Sequence, residues 1–406
     1  MKVLYAIVTI GACAVPASAL SLIAAAATSH ADGFVAGDDV DEDLLAALRA
    51  VTDPRCRRGV RHQLVAVLGA AVCAVLAGAR SYVAIAEWVH DLPVGVRLRL
   101  GIERIPPSES AIRRVLQAID SHLLDRTVCG WLASRARPTQ RWRAVAVDGK
   151  SARGARGCNG RAVHLLAALD HSDGVVLGQR VVDGKSNEIT AFAPLCDGID
   201  ITDVIMTADA LHTQREHADY LTGRGAHYLV TVKGNQPKLH AQLKALPWRD
   251  ITAVDVTRGN GHGRAESRTV KITAVSVGIR FPHARVAIQL TRRRRPLNGK
   301  RWRTETVYAI TDLDQTQIRP DEIADIIRSH WHIENRLHWV RDVTFAEDHS
   351  QVRTGHGPAV MASLRNLAIS IHRRHGATNI AAATRHASRH PNRVLPLLLQ
   401  AEINTR

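Results

Sequence analysis

At Arg141 the hydrophobic period of this 406-residue chain changes, and that change limits what it can fold into. Before it, residues 61–92 contain HQLVAVLGAAVCAVLAGARSYVAIAEWV, which reads as two packed helices with a break at Gly78. Two more helices are predicted after the cap Ser108, over Ala111–Ile119 and Leu123–Arg137. After it come short apolar runs bounded by turn residues: RWRAVAVDGKSARG, then a hairpin turned at Ser172, Asp173 and Gly174. DVIMTADA and HYLVTVKG follow, each preceded by a helical segment, SNEITAFAPLCDGI and TQREHADYLTGRG. Three strands, a helix, a strand, a helix and a strand predict an α/β fold, a mixed sheet with flanking helices, preceded by an all-α N-terminal domain.

The expected organisation is an N-terminal extension over 1–44, a helical domain over 45–140 and a core in two parts, 141–248 and 307–375. Residues 249–306 separate the two parts as a β-rich, basic, Gly-punctuated insertion, and 376–406 form a helical tail. Net charge is +16 and the first fifty residues are acidic, so the remainder is more basic still. A body this basic predicts an extended polyanion as partner, most simply nucleic acid. The six cysteines are scattered with no CxxC pair, which argues against a zinc ribbon or thioredoxin-like site and fits a reducing cytoplasm.

The start, MKVLYAIVTIGACAVPASALSLIAAAAT, has the look of a secretory signal or membrane anchor. Its alternative is an Ala-rich extension or a start codon placed too early. With the rest of the chain in view, the expected location is the cytoplasm, at the nucleoid and with no membrane partner; export stays open as the minority reading.

Three carboxylates stand out. The run AVAV delivers Asp148 at a strand end, VIMTA does the same for Asp209, and a late helical segment carries Glu334 with His330, His338 and Arg341 roughly on one face. Two strand-end aspartates and a helical glutamate are the layout for two divalent cations, Mg²⁺ or Mn²⁺, with open positions for water and phosphate. Two ions about 4 Å apart clamp the attacking and leaving oxygens of a phosphoryl displacement. A zinc site from His330, His332 and His338 is the rival, but the segment lacks the H-E-x-x-H spacing.

The blocks VDGKSARG, DGKSNEITA, TADALHTQ, YLVTVKGNQ and HWHIENRLHWVRDVTFAED occur in that order. Together they resemble the DDE transposases of bacterial insertion sequences, in the H-repeat-associated (ISAs-type) branch, over about 45–375. The resemblance implies a ribonuclease-H-like core interrupted by a β insertion, with Asp148, Asp209 and Glu334 as catalytic metal ligands. It also implies an enzyme that binds terminal inverted repeats, cuts a phosphodiester and joins the freed 3′-hydroxyl to target DNA, as a homo-oligomer on double-stranded DNA. Relatives carry Tyr seven before the glutamate, Arg four before and Lys seven after; the matching residues here are Ile327, His330 and Arg341. Ile327 cannot contact phosphate, and His330 would need to be protonated or to donate a neutral N–H. A decayed or domesticated DNA-binding protein or nuclease of the same fold is the alternative.

The expected DNA contacts are Lys150, Lys233, Asn235, Gln236, His330 and Arg341, with Arg292, Arg293, Arg294 and Arg295 tracking phosphates from the insertion. DGKS occurs twice, and Asp183 is read as structural, with Ser186 as a helix cap. Glu188 is expected to serve the helix dipole rather than the site, and at least one of Trp331 and Trp339 to pack inward. The basic charge predicts that DNA affinity falls steeply and linearly with log salt, through counterion release. Filter binding or fluorescence anisotropy across a salt series checks this, and a flat response contradicts it.

Overall fold

The computed structural model describes residues 43–135, 141–156, 160–182, 187–261, 263–275 and 278–399. The hydrophobic start of the chain, and Asp183 and Ser186 of the second DGKS, lie outside the described residues. Among the described residues, no helix is long and apolar enough to cross a membrane.

The helices expected before Arg141 form. Helix α1 (Leu44–Leu48) and α2 (Leu64–Leu76) come first, and every residue of α2 except Val65 is buried, as an all-round apolar helix requires. Gly78 follows α2 with φ of +98°, a left-handed backbone that stops the helix and is open to glycine at little cost. After α3 (Tyr82–His90) and α4 (Val94–Arg99), Ser108 caps α5 (Glu109–Ala118). Helix α6 (Ser121–Ala133) starts earlier than the apolar pattern suggests, because the Asp120 carboxylate accepts the N–H groups of His122 and Leu123.

The strands are β1 (Arg143–Arg156), β2 (Ala162–Asp170), β3 (Val176–Val182), β4 (Val204–Ala208) and β5 (His227–Val232), followed by β6 (Ala253–Gly261), β7 (Arg264–Ala274), β8 (Val286–Pro296) and β9 (Arg303–Thr311). They make one mixed sheet in the order β3-β2-β1-β4-β5-β9-β8-β7-β6. Strands β1, β4 and β5 are parallel and the other pairs antiparallel. This is the mixed sheet expected from the order of elements, with α7 (Glu188–Cys196) and α8 (Arg215–Gly223) as its crossovers and α9 (Pro237–Lys244) after β5. Strand β9 crosses the expected 306/307 boundary and pairs with β5 on one side and β8 on the other, so the β-rich insertion is hydrogen-bonded into the core sheet.

Strand β1 is longer than expected. Its parallel ladder with β4 stops at Val147–Ala208, but antiparallel pairing with β2 continues through Asp148–Ala167 to Ala152–Val163. Asp148 therefore lies where one neighbour ends and the other still satisfies the backbone. On one sheet face the apolar core continues into α12 (Gly357–Arg374), buried from Gly357 to His372. On the other, Ile205, Leu229 and Ile288 pack against Ile323 and Ile326 of α10 (Pro320–Ser329).

Between these layers sits a buried ion triad. Arg341 is fully buried and grips Glu347 through two bonds of 2.8 and 2.9 Å, while Arg365 of α12 donates to the same carboxylate at 2.8 Å. Arg341 and Asn366 also donate to Gln179 Oε1 of β3, whose backbone N–H donates to Asp125 of α6. This corrects the expected phosphate contact by Arg341: its guanidinium is consumed inside the fold. Burial alone would raise the Glu347 carboxyl, but Arg341 and Arg365 outweigh it and hold it at about 2, against an ordinary 4.5.

A carboxyl depressed on folding stabilises above its unfolded pKa and loses that contribution as pH falls through the folded value. Glu347→Gln is expected to cost about 3–5 kcal/mol near pH 7, since it leaves two buried cations unpaired. The melting-temperature gap to wild type should narrow between pH 4.5 and about 2. Thermal unfolding at pH 7 and pH 3 checks this; a gap independent of pH contradicts it.

Candidate active site

The segment carrying Glu334 is not one continuous helix. After α10 it widens into a π turn over Ile333–His338 and re-enters α-helix as α11 (Trp339–Val343). Its histidines explain the unusual composition. His330 Nδ1 lies 2.9 Å from the Thr207 hydroxyl of β4, which also meets His171 Nε2 at 3.0 Å. His332 Nδ1 donates to the His171 carbonyl, and Arg336 donates to the carbonyls of His171, Ser172 and Asp173. These side chains pin the segment to β4 and to the β2–β3 turn.

Burial pushes the His330 imidazole down to about 4, so it is neutral near pH 7 and bonded to Thr207. Of the two ways His330 was expected to meet a phosphate, this removes the protonated one and leaves the neutral N–H. It also removes the zinc rival, because His330 and His332 are committed to different partners.

Asp148, Glu334 and His338 do converge. One ligand atom from each lies within 4.8 Å of the others. His338 Nδ1 is 3.1 Å from Glu334 Oε2 and 3.6 Å from Asp148 Oδ2. Asp209 caps the short turn after β4, accepting the Leu211 N–H at 2.9 Å, and stands outside that tight group. Its charge still reaches the site. Burial chiefly raises the Asp148 carboxyl, Asp209 and Glu188 add to the rise, and His338 opposes it. Glu334 shifts the other way, lowered by its hydrogen bond from His338. Two converging carboxylates with an imidazole nitrogen beside them, and with Glu334 exposed to solvent, are a donor set that a divalent cation fits.

Neighbouring residues hold the two aspartates in place. Asp148 and Lys150 face the Glu334 segment, while Gly149 and Ser151 face α7. Lys150 Nζ sits 2.6 Å from Asp342 Oδ2 with only 9% of its side chain exposed, so it ties β1 to α11 and is not the free DNA contact expected. The Glu188 carboxylate lies against Gly149, where any Cβ would come within 2.4 Å of it. His164 and His212 donate to Glu188 at 2.7 and 3.2 Å and hold its carboxyl at about 2. Glu188 thus links β2 to the turn behind Asp209, a larger role than the helix-dipole one expected. The Gly149 beside Asp148 was the sequence signal for this close approach.

Asn235 and Gln236 donate their amides to the carbonyls of Ala210 and Thr213. They support the Asp209 turn, so these amide N–H groups are engaged within the fold, while Asn235 and Lys233 are themselves exposed. In the insertion, Arg292 is spent on Glu266 and Arg294 pairs with Glu305. Arg293 and Arg295 each lie 5.2 Å from the centre of the Trp302 ring, and Arg293 is exposed. Trp331 and Trp339 are 56% and 55% exposed, so neither packs inward as expected; Ile333, Leu337 and Val340 take the inner face.

The family model described as transposase DDE domain matches residues 137–371, and one described as DDE_Tnp_1-associated matches residues 45–132. The Escherichia coli O157:H7 protein named "Putative transposase YncI" is 30% identical over 343 residues, 81% of this chain and 87% of that one. The Escherichia coli K12 protein named "H repeat-associated putative transposase YhhI" is 29% identical, over 81% of this chain and 89% of its own. A solved piggyBac transposase synaptic complex with hairpin DNA superposes on 90% of this chain and 83% of that one. That superposition has a TM-score of 0.41 and 11% identity.

Proposed function

This chain belongs to the transposase DDE domain family, and from that premise we propose that it is an insertion-sequence transposase. It binds the terminal inverted repeats of its element, cuts the phosphodiester there and transfers the freed 3′-hydroxyl to target DNA. The observation that carries this reading is the convergence of Asp148, from the first core strand, with Glu334, from the late helical segment. Asp148, Asp209 and Glu334 would hold the divalent cations, Mg²⁺ or Mn²⁺, two in number. When bound, such ions supply Lewis-acid charge to the scissile phosphate and lower the pKa of a bound water.

The chain's own residues position the DNA. A groove of about 770 Å³ runs between the β6–β8 ribbon and the Glu334 segment, lined among others by Arg258, Arg264, Arg294, Arg328 and Trp331. Charge and an exposed indole together suit a DNA strand, with phosphates on the guanidiniums and a base against the ring. Arg328 bonds Asp255 of β6 at 2.9 Å and sets the distance between ribbon and site. From the expected set, Arg294 thus lines the groove, and exposed Lys233 and Arg293 add phosphate contacts beyond it. Cutting at two ends implies a homo-oligomer assembled on DNA, working in the cytoplasm at the nucleoid.

Incubation with DNA carrying the element's ends and Mg²⁺ tests this reading. Asp148→Asn and Glu334→Gln are each expected to slow cleavage by roughly 100-fold or more while leaving DNA binding in place, the scale of losing one transition-state stabiliser. Cleavage unaffected by either change would remove the site. Binding of end DNA by the wild type without any cleavage would favour the decayed or domesticated alternative.

A further inference from the structure

We propose that His338 is a direct ligand, through Nδ1, of the cation held by Asp148 and Glu334, and that this nitrogen tilts the site toward Mn²⁺ over Mg²⁺. The inference rests on the transposase reading and deepens it, since it names a ligand that the carboxylate triad does not contain.

Three observations carry it. The first is direction: His338 is 4% exposed, yet its Nδ1 faces out of the core at Glu334 Oε2 and Asp148 Oδ2, 3.1 and 3.6 Å away. The second is the absence of any other engagement. Its Nε2 is buried with no partner among the described residues, so the two site carboxylates are the only polar groups shown holding this ring. The other two histidines of the segment are each tied to the sheet, by Thr207 and by the His171 carbonyl. The third is the make-up of the converging group. Asp209 is turned toward the Leu211 N–H and lies outside the tight group, leaving a cation between Asp148 and Glu334 with two protein oxygens and one nitrogen in reach.

The ring is also well placed to keep its aim. Leu337 and Val340 are buried on either side of it along the chain, and the π turn carries both Glu334 and His338. With a cation between the carboxylates, the Nδ1 lone pair would face the ion and Nε2 would carry the proton. Mg²⁺ prefers an all-oxygen octahedron and gains little from an imidazole. First-row transition ions gain more from a nitrogen donor, and Mn²⁺, which also accepts carboxylate and water, gains without demanding a different geometry.

The test is electron paramagnetic resonance on the full chain titrated with MnCl₂, with and without end DNA. The wild type is expected to bind Mn²⁺ and to show ¹⁴N modulation of the spin echo from a coordinated imidazole. His338→Gln can still donate a hydrogen bond to Glu334. It should lose the modulation, weaken Mn²⁺ binding about 10-fold, and let Mg²⁺ displace Mn²⁺ at a lower excess than in the wild type. His338→Asn gives a second variant if the first does not fold. Mn²⁺ binding that Asp148→Asn abolishes but that shows no ¹⁴N modulation in the wild type would overturn this inference and leave the transposase reading standing. Modulation that persists in a folded His338 variant would overturn it too, by assigning the nitrogen to another residue. No Mn²⁺ binding by the wild type, with or without DNA, would bring down both.

Discussion

The segment that brings Glu334 to Asp148 is anchored in the core by the buried triad of Arg341, Glu347 and Arg365. Glu334 comes late in the chain, on a short segment whose outward side is polar and aromatic. A short helical segment of this kind has little stability of its own and is held by tertiary contacts. Arg341, seven residues after Glu334, is drawn inside by Glu347, and Glu347 is in turn held by α12, the most completely buried late helix of the chain. Taking three charges out of water is costly, and an apolar replacement of similar volume could be as stable. What the triad adds is register: one placement of the segment satisfies two guanidiniums and one carboxylate at once.

Weaker ties then fine-tune that placement. His330, His332 and Arg336 bond to β4 and the β2–β3 turn on one side, and Lys150 reaches from β1 to Asp342 on the other. The neutral bonds are worth about 1 kcal/mol net each and those of Arg336 and Lys150 about 1.5–3 kcal/mol, and together they hold the segment against β1, β4 and the β2–β3 turn. Asp209 is braced separately. Asn235 and Gln236 hold its turn from one direction and the Glu188–His212 pair from another. Asp148, Asp209 and Glu334 thus sit on three separately braced segments, and the Asp148 carboxyl is raised chiefly by its burial there, with Asp209 and Glu188 adding to the rise.

Much of this was legible in the sequence. The change of period at Arg141 announced the sheet, AVAV and VIMTA announced the buried strands that carry Asp148 and lead into Asp209, and Glu334 stood out as the one carboxylate among histidines and tryptophans, whereas the run of β1 past Asp148 to Arg156 was not foreseen. Local pattern reaches that far because strand alternation and capping are local physics. The misreadings share one cause. Arg341 and Lys150 look like free DNA contacts until their partners are known, and those partners (Glu347 and Asp342) are fixed by tertiary packing. The same holds for His330, whose burial against Thr207 decides its charge, and for Glu188, whose approach to Gly149 depends on how α7 crosses the sheet. Trp331 and Trp339 show the converse: aromatic side chains placed outward, where core composition alone would have put them inside.

The central claim is that the fold alone assembles a divalent-cation site between Asp148 and Glu334. Anomalous diffraction from crystals soaked in Mn²⁺ tests it most directly. The account predicts a peak within coordination distance of Asp148 Oδ2 and Glu334 Oε2, absent in crystals of Asp148→Asn. A peak elsewhere, or ordered crystals with both carboxylates in place and no peak between them, would contradict it.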